Sequence, residues 1–166
     1  MDINTKEKVS AKFGGKIIEA STQFDELSFV VDKSDLHDVV RFLRDEPGLK
    51  YRHLSDITAT DWLDRAKRFE IVYHLYSFDL RDYVRIKVRV GEDEPVPTMC
   101  SDWKTANWLE REVFDMFGVS FSEHPDMRRI LMWDEFEGHP LRKDYPLTYE
   151  MPQFTFNKDE PPEVIK

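Results

Sequence analysis

Residues 69–78 read FEIVYHLYSF, a run that is apolar on both faces of an extended chain. A strand of that kind needs cover on both faces, so it predicts a central place in a β-sheet. The next run, DYVRIKVRV at 82–90, alternates instead. Val84, Ile86, Val88 and Val90 share one face, and Arg85, Lys87 and Arg89 share the other. One face of the sheet is therefore wet or meets an acidic partner. Two shorter strands are expected at 16–21 (KIIEAS) and 26–32 (ELSFVVD), turning at Gln23, Phe24 and Asp25. A broken one is expected within 50–60, and residues 91–97 read as a loop.

Helical periodicity marks three other segments. Residues 5–13 form a short amphipathic stretch that ends at Gly14 and Gly15. In 34–48, Leu36, Val39, Val40 and Leu43 repeat at helical spacing, with Ser34 as the expected N-cap and Pro47 and Gly48 as the stop. The third helix is expected over 101–118, from Ser101 as N-cap to Gly118 past the end. The order is helix-β-β-helix-β-β-β-helix, an α+β fold on a mixed sheet of about five strands. Three parts are expected: an α+β domain over 1–118, an extended partner-binding arm over 119–149, and a tail over 150–166.

The arm has no periodicity, and arm and tail together, 119–166, hold six of the chain's nine prolines. It is nevertheless too apolar for simple disorder, with Phe121, Ile130, Leu131, Met132, Trp133, Phe136, Leu141, Tyr145 and Leu147. Such a segment is expected to lie along a surface. Its charges interleave: Arg128, Arg129, Arg142 and Lys143 among Asp126, Asp134, Glu135, Glu137 and Asp144. Groups of this kind make specific charge-assisted bonds. His124 and His139 each precede a proline, which holds them in extended backbone.

The third helix carries an anomaly. At about 100° per residue, Trp103, Ala106, Leu109, Val113, Phe114, Met116 and Phe117 fall in one arc, and Glu110 falls inside it. Burying an unpaired carboxylate costs several kcal/mol or raises its pKa until it is neutral. Glu110 is thus expected to be a buried charge with a cationic or hydrogen-bonding partner, from Arg128, Arg129 or His124. The opposite face carries Trp108, Arg111, Glu112 and Asp115. Arg111 and Asp115 have the spacing to pair. A Trp flanked by charges suits an interface anchor. The expected partner-interface residues are Trp108, Arg111, Glu112, Asp115, His124, Arg128, Arg129, His139, Arg142, Lys143 and Asp144.

Other functions find less support. A net charge of −9 argues against a nucleic-acid partner. The single cysteine, Cys100, rules out an intrachain disulfide and a self-contained iron–sulfur cluster. No apolar run nears the roughly 20 residues of a membrane span, so no direct membrane insertion is expected. The first residues, MDINTKEKVS, lack the apolar segment of a secretory signal. A small metallo-enzyme using His124, His139 and nearby carboxylates is the alternative of another class, but their spacing fits no metal motif. No catalytic, cofactor-binding or metal residue is expected in the chain.

Taken in order, Glu110-Arg111-Glu112, Asp115-Met116-Phe117-Gly118, His124-Pro125-Asp126, Arg128-Arg129-Ile130-Leu131 and Gly138-His139-Pro140-Leu141-Arg142-Lys143-Asp144-Tyr145-Pro146-Leu147 resemble the C subunit of the proton-pumping NADH–quinone oxidoreductase (respiratory complex I) family. One departure is Glu123, where that family commonly has glycine before His-Pro. The resemblance implies a non-catalytic structural subunit of the quinone module in the peripheral arm of that complex. The complex passes electrons from NADH to quinone and translocates protons. Iron–sulfur clusters, FMN and quinone are then bound by other subunits. The implied partners are the neighbouring quinone-site subunit and the cluster-bearing subunits, at the cytoplasmic side of the bacterial inner membrane. Membrane-bound hydrogenases and coenzyme F420- or ferredoxin-linked dehydrogenases contain similar subunits, which is the related alternative.

Overall fold

A computed structural model describes residues 3–147 of the chain. The expected tail, 150–166, and the last two residues of the expected arm lie outside them. The order is α1 (Ile3–Phe13), β1 (Ile17–Gln23), β2 (Glu26–Val31), α2 (Leu36–Asp45), β3 (His53–Asp61), β4 (Phe69–Ser77), β5 (Asp82–Val90), β6 (Val96–Pro97), α3 (Ala106–Phe117) and β7 (Phe121–Ser122). The five long strands form one sheet in the order β1-β2-β5-β4-β3. The β2–β5 pair is parallel and the other pairs are antiparallel, so the α+β fold and its mixed sheet are as expected.

The doubly apolar strand is internal, flanked by β5 and β3. Phe69, Ile71, Tyr73 and Leu75 enter the main core with Val84, Ile86, Val88 and Val90 of β5. The helices supply Val9 and Phe13, then Leu36, Val39, Val40 and Leu43, then Ala106, Val113, Met116 and Phe117. Full burial of each large aliphatic side chain stabilises the fold by roughly 1.5–3 kcal/mol. The sheet's opposite face carries its own acidic partners. Arg85 pairs with Glu26, Lys87 with Glu70 at 3.3 Å, and Arg89 with Glu70 at 2.8 Å and Glu19 at 3.0 Å. Burial opposes the charge on Glu70, but Arg89 and Lys87 outweigh it and hold the carboxyl below its ordinary range.

Three local expectations need correction. Ser34 is not an N-cap. Its N–H and hydroxyl both donate to Asp32 Oδ1, at 3.1 and 2.9 Å, and α2 starts at Leu36 with no side-chain cap. Nor does α3 start near Ser101; it begins at Ala106, after a turn in which the Asp102 and Trp103 N–H groups both donate to the Met99 carbonyl. Asp102 leaves the helix path to join Arg41, Arg44 and His37 of α2, at 2.9, 2.9 and 3.0 Å. Finally, residues 91–97 are not all loop. Val96 and Pro97 pair in parallel with Phe121 and Ser122, which ties the root of the arm to the domain.

Candidate functional site

The arm runs across α3 and completes its C-terminal end. A helix leaves its last carbonyls without intrahelical donors, and here the chain downstream supplies them. Gly118, in the left-handed region at φ 75°, donates its N–H to the Phe114 carbonyl. His139 Nδ1–H donates to the Asp115 carbonyl at 2.9 Å, the Leu141 N–H to that of Met116 at 3.1 Å, and Arg142 Nε to that of Phe117 at 2.5 Å. Glycine is required at 118 for a second reason. A Cβ there would meet the Arg142 guanidinium and lie 2.6 Å from the His139 ring.

Asp115 is fully buried in this last turn, where the helix dipole disfavours an anion. The arm compensates. One oxygen accepts from Arg129 at 2.7 Å, and the other from the N–H groups of Ile130, Leu131 and Met132 at 3.0, 2.7 and 2.8 Å. Burial pushes the carboxyl up, but those three N–H groups and Arg129 outweigh it and keep Asp115 ionised. The pairing of Asp115 with Arg111 expected from their spacing does not form. Arg111 instead donates to the carbonyls of Arg128 and Arg129, at 2.9 and 3.1 Å, and stacks on Trp108.

The far end of the arm is tied to the sheet by Arg68. This buried guanidinium bonds Asp61 at 2.8 and 2.7 Å, Asp144 at 3.0 and 2.6 Å, and Glu92 at 2.5 Å. Asp61 also accepts the Lys143 N–H at 2.8 Å. Arg68 holds both the Asp61 and the Asp144 carboxyl below their ordinary range. Sequence reasoning missed Arg68 altogether. It sits between Lys67 and the start of β4, with no pattern to separate it from any surface arginine.

Glu110 is fully buried, as its place on the helical wheel predicts. Neither Arg128 nor Arg129 reaches it: Arg128 pairs with Asp126 at 2.7 Å, and Arg129 with Asp115. Its partners come from the turn before the helix. Thr98 donates its hydroxyl at 2.5 Å, Met99 its N–H at 2.6 Å, and the Cys100 thiol lies at 3.7 Å. His124, the third expected partner, is near but not bonded, its Nε2 lying 3.9 Å away. Burial pushes Glu110 up to about 7, against the opposing pull of Thr98 and the Met99 N–H. Burial also pushes the Cys100 thiol up, which keeps it protonated and unreactive.

Cys100, Glu110 and His124 have ligand atoms within 4.8 Å of one another, a set that could hold a metal ion. The hydrogen bonds of His124 oppose this. Its Nδ1 accepts the Asp126 N–H at 3.0 Å, so the ring proton sits on Nε2, which faces the Asn107 carbonyl at 3.2 Å. A neutral imidazole cannot ligate through a protonated nitrogen. His139 is not part of the set, being committed to the Asp115 carbonyl. The two histidines that a metallo-enzyme would need are therefore not brought together.

Nine of the expected interface residues make bonds within the chain through the arm: Arg111, Asp115, His124, Arg128, Arg129, His139, Arg142, Lys143 and Asp144. Trp108 stays 60% exposed on α3, and Leu131 and Trp133 of the arm stay 58% and 47% exposed. Glu112 and Arg128 are exposed as well. Glu123, the departure from the glycine of the resembled motif, takes φ 61°, a left-handed conformation that favours glycine.

The family model described as respiratory-chain NADH dehydrogenase, 30 Kd subunit, matches residues 29–151. The chain is 46% identical over 154 residues to the C subunit of NADH-quinone oxidoreductase from Roseiflexus sp. (strain RS-1), covering 92% of this chain and 88% of that protein. It is 46% identical over 141 residues to the protein of that name from Geotalea uraniireducens, covering 84% and 85%. It is 44% identical over 142 residues to that of Methylobacterium sp. (strain 4-46), covering 86% of this chain and 66% of that longer protein. Among solved structures, a chain of the membrane-bound sulfane sulfur reductase, an archaeal respiratory membrane complex, superposes with a TM-score of 0.71 at 27% identity, covering 86% of this chain and 84% of that one. With the family model running from within β2 through β3, β4, β5 and α3 to the end of the arm, the chain belongs to the family of the 30 Kd subunit of respiratory-chain NADH dehydrogenase.

Proposed function

We propose that this chain is a non-catalytic structural subunit of an NADH–quinone oxidoreductase, in the quinone module of its peripheral arm. There it supports electron transfer from NADH to quinone coupled to proton translocation. The name its relatives share, as C subunits of NADH-quinone oxidoreductase, carries the reading. The arm supports it: His124, Arg129, His139, Arg142 and Asp144 are used in fastening the arm to α3 and to Arg68 beside the sheet, which suits a binding platform. Clusters, FMN and quinone are assigned to other subunits. The neighbouring quinone-site subunit and the cluster-bearing subunits are the partners. No helix among the described residues is long and apolar enough to cross a membrane, which fits a peripheral position; we place it on the cytoplasmic face of the bacterial inner membrane. The sulfane sulfur reductase likeness favours, as second reading, the equivalent subunit of a related membrane-bound hydrogenase-type or ferredoxin-linked complex.

Tagging the full chain in its native host and identifying the co-purifying chains by mass spectrometry separates the two. Flavin- and cluster-bearing NADH dehydrogenase subunits are expected. Hydrogenase-type partners would favour the second reading, and a chain that purifies alone would sink both.

The docking residues are proposed to be the exposed Trp108, Leu131 and Trp133, with the exposed charges of Glu112 and Arg128. Trp108→Ala and Leu131→Ala are expected to shift the stability of the free chain by no more than about 0.5 kcal/mol, as exposed sites do. Trp108→Ala is expected to weaken assembly on native gels roughly 30-fold, the loss typical of an interface anchor. Assembly that falls only in step with thermal stability would remove these residues from the interface.

A further inference from the structure

Three parts of the chain enclose Glu110. Tyr73 approaches from β4, Thr98 and Cys100 from the turn after β6, and His124 from the root of the arm. Tyr73 is fully buried and its hydroxyl has no hydrogen-bond partner among the described residues. Burial and the nearby Glu110 both push it up, so it stays neutral. Burial keeps the Cys100 thiol neutral as well. The charged groups behind His124 are Asp126, which is paired with Arg128, and Arg111, which is bonded to arm carbonyls. Among the described residues, therefore, no permanent cation pairs with Glu110.

Two protonation states of this pocket use different hydrogen bonds. With a proton on Glu110, the carboxyl is neutral and His124 keeps its Nε2–H toward the Asn107 carbonyl at 3.2 Å. Without it, a buried carboxylate holds two strong donors, Thr98 and Met99, and lacks a countercharge. The Nε2–H of His124, 3.9 Å off, is the nearest ring N–H able to turn to it. That turn breaks the bond to α3. His124 lies two residues past the end of β7, just after the left-handed Glu123, so a shift of its ring is felt where the arm leaves its pairing with β6.

We propose that Glu110 is a buried proton-binding site whose occupancy sets which acceptor His124 holds, and so how firmly the root of the arm is fixed to α3. The proton comes from solvent and returns to it; no other bond changes. Glu110 titrates near neutrality, since burial raises it to about 7. An unfolded glutamate titrates near ~4.3, so the folded chain binds the extra proton between the two values. The stabilisation is complete below the unfolded value and is lost as pH rises through the folded one. This inference does not depend on the complex in which the chain works.

The test is NMR of the full chain with isotopically labelled histidine, titrated over roughly pH 5 to 9. The wild-type His124 Nε2–H signal is expected to report the change of acceptor as Glu110 loses its proton, with amide protection at 121–124 and 126, after removal of the intrinsic pH dependence of exchange, falling about tenfold above that change. Glu110→Gln is expected to abolish the transition. Thr98→Val, which removes a donor that favours the carboxylate, is expected to raise the midpoint by about one unit. A wild-type His124 signal that does not move, or that moves identically in Glu110→Gln, overturns the proposal. If Glu110→Gln does not fold, the Thr98→Val midpoint decides, and an unshifted midpoint overturns it equally.

Discussion

Replacing Asp115 with alanine is expected to destabilise the chain by about 3–5 kcal/mol, the cost of breaking a buried ion pair from one side. The carboxylate is fully buried and accepts from Arg129 and from three successive main-chain N–H groups. Alanine would strand all of them, and each unsatisfied buried donor alone costs about 1–3 kcal/mol. The arm can relax outward and rehydrate them, which keeps the total below their sum. Against a typical stability of about 5–15 kcal/mol, the loss leaves the arm loose or the chain unfolded. Urea unfolding of the full chain measures it, and amide exchange at 130–132 locates it. Asp115→Asn keeps an acceptor oxygen and is expected to cost about half as much. An alanine variant within about 1 kcal/mol of wild type would show that the arm is held elsewhere.

Arg68→Ala is expected to have an effect of similar size, about 3–5 kcal/mol, at the other end of the arm. Its guanidinium is 6% exposed and Asp61 2%, so the alanine variant leaves a buried carboxylate with only the Lys143 N–H and residual solvent. The pH dependence gives a second readout. Arg68 lowers the folded-state pKa of Asp61 and Asp144. Their stabilisation is present above the unfolded value of ~3.9 and is lost as pH falls through the lower folded values. The variant should therefore lose less stability than wild type on acidification below about pH 4. Glu110 works in the opposite sense and at higher pH, so urea midpoints taken across the pH range separate the two. Parallel acid limbs in wild type and variant would show that Arg68 does not set them.

Much of this arrangement was legible in the sequence because it depends on local period. The face alternation of β5, the double burial of β4, the Gly118 cap and the inward turn of Glu110 all follow from residues a few positions apart. The failures share a different cause. Asp115 looked like a partner for Arg111 because helical spacing is visible in sequence, whereas Arg129 and the N–H groups of 130–132 reach it only through a fold-back of the arm. Asp102 gave up its place in α3 for three groups on α2 that lie 58 to 65 residues earlier. The basic stripe of β5 reads as wet or facing an acidic partner, and which of the two holds is not legible because Glu70, Glu26 and Glu19 become its neighbours only once strand register is fixed. The motif residues of the arm were found as a block, but no local pattern separates those that bond the chain itself, such as His139 and Asp144, from those left outward, such as Leu131.

The capping of α3 also sets a schedule for synthesis. A chain emerging from the ribosome presents α3 well before His139, Leu141 and Arg142, the residues that close its last carbonyls. Asp115 likewise emerges before the loop that neutralises its burial. Until then the helix end stays hydrated and its apolar face is poorly held on the sheet. The nascent domain can pair its five long strands early, yet it finishes its third helix only when nearly all of the described chain is out, so late truncation and slowed elongation strike the same place.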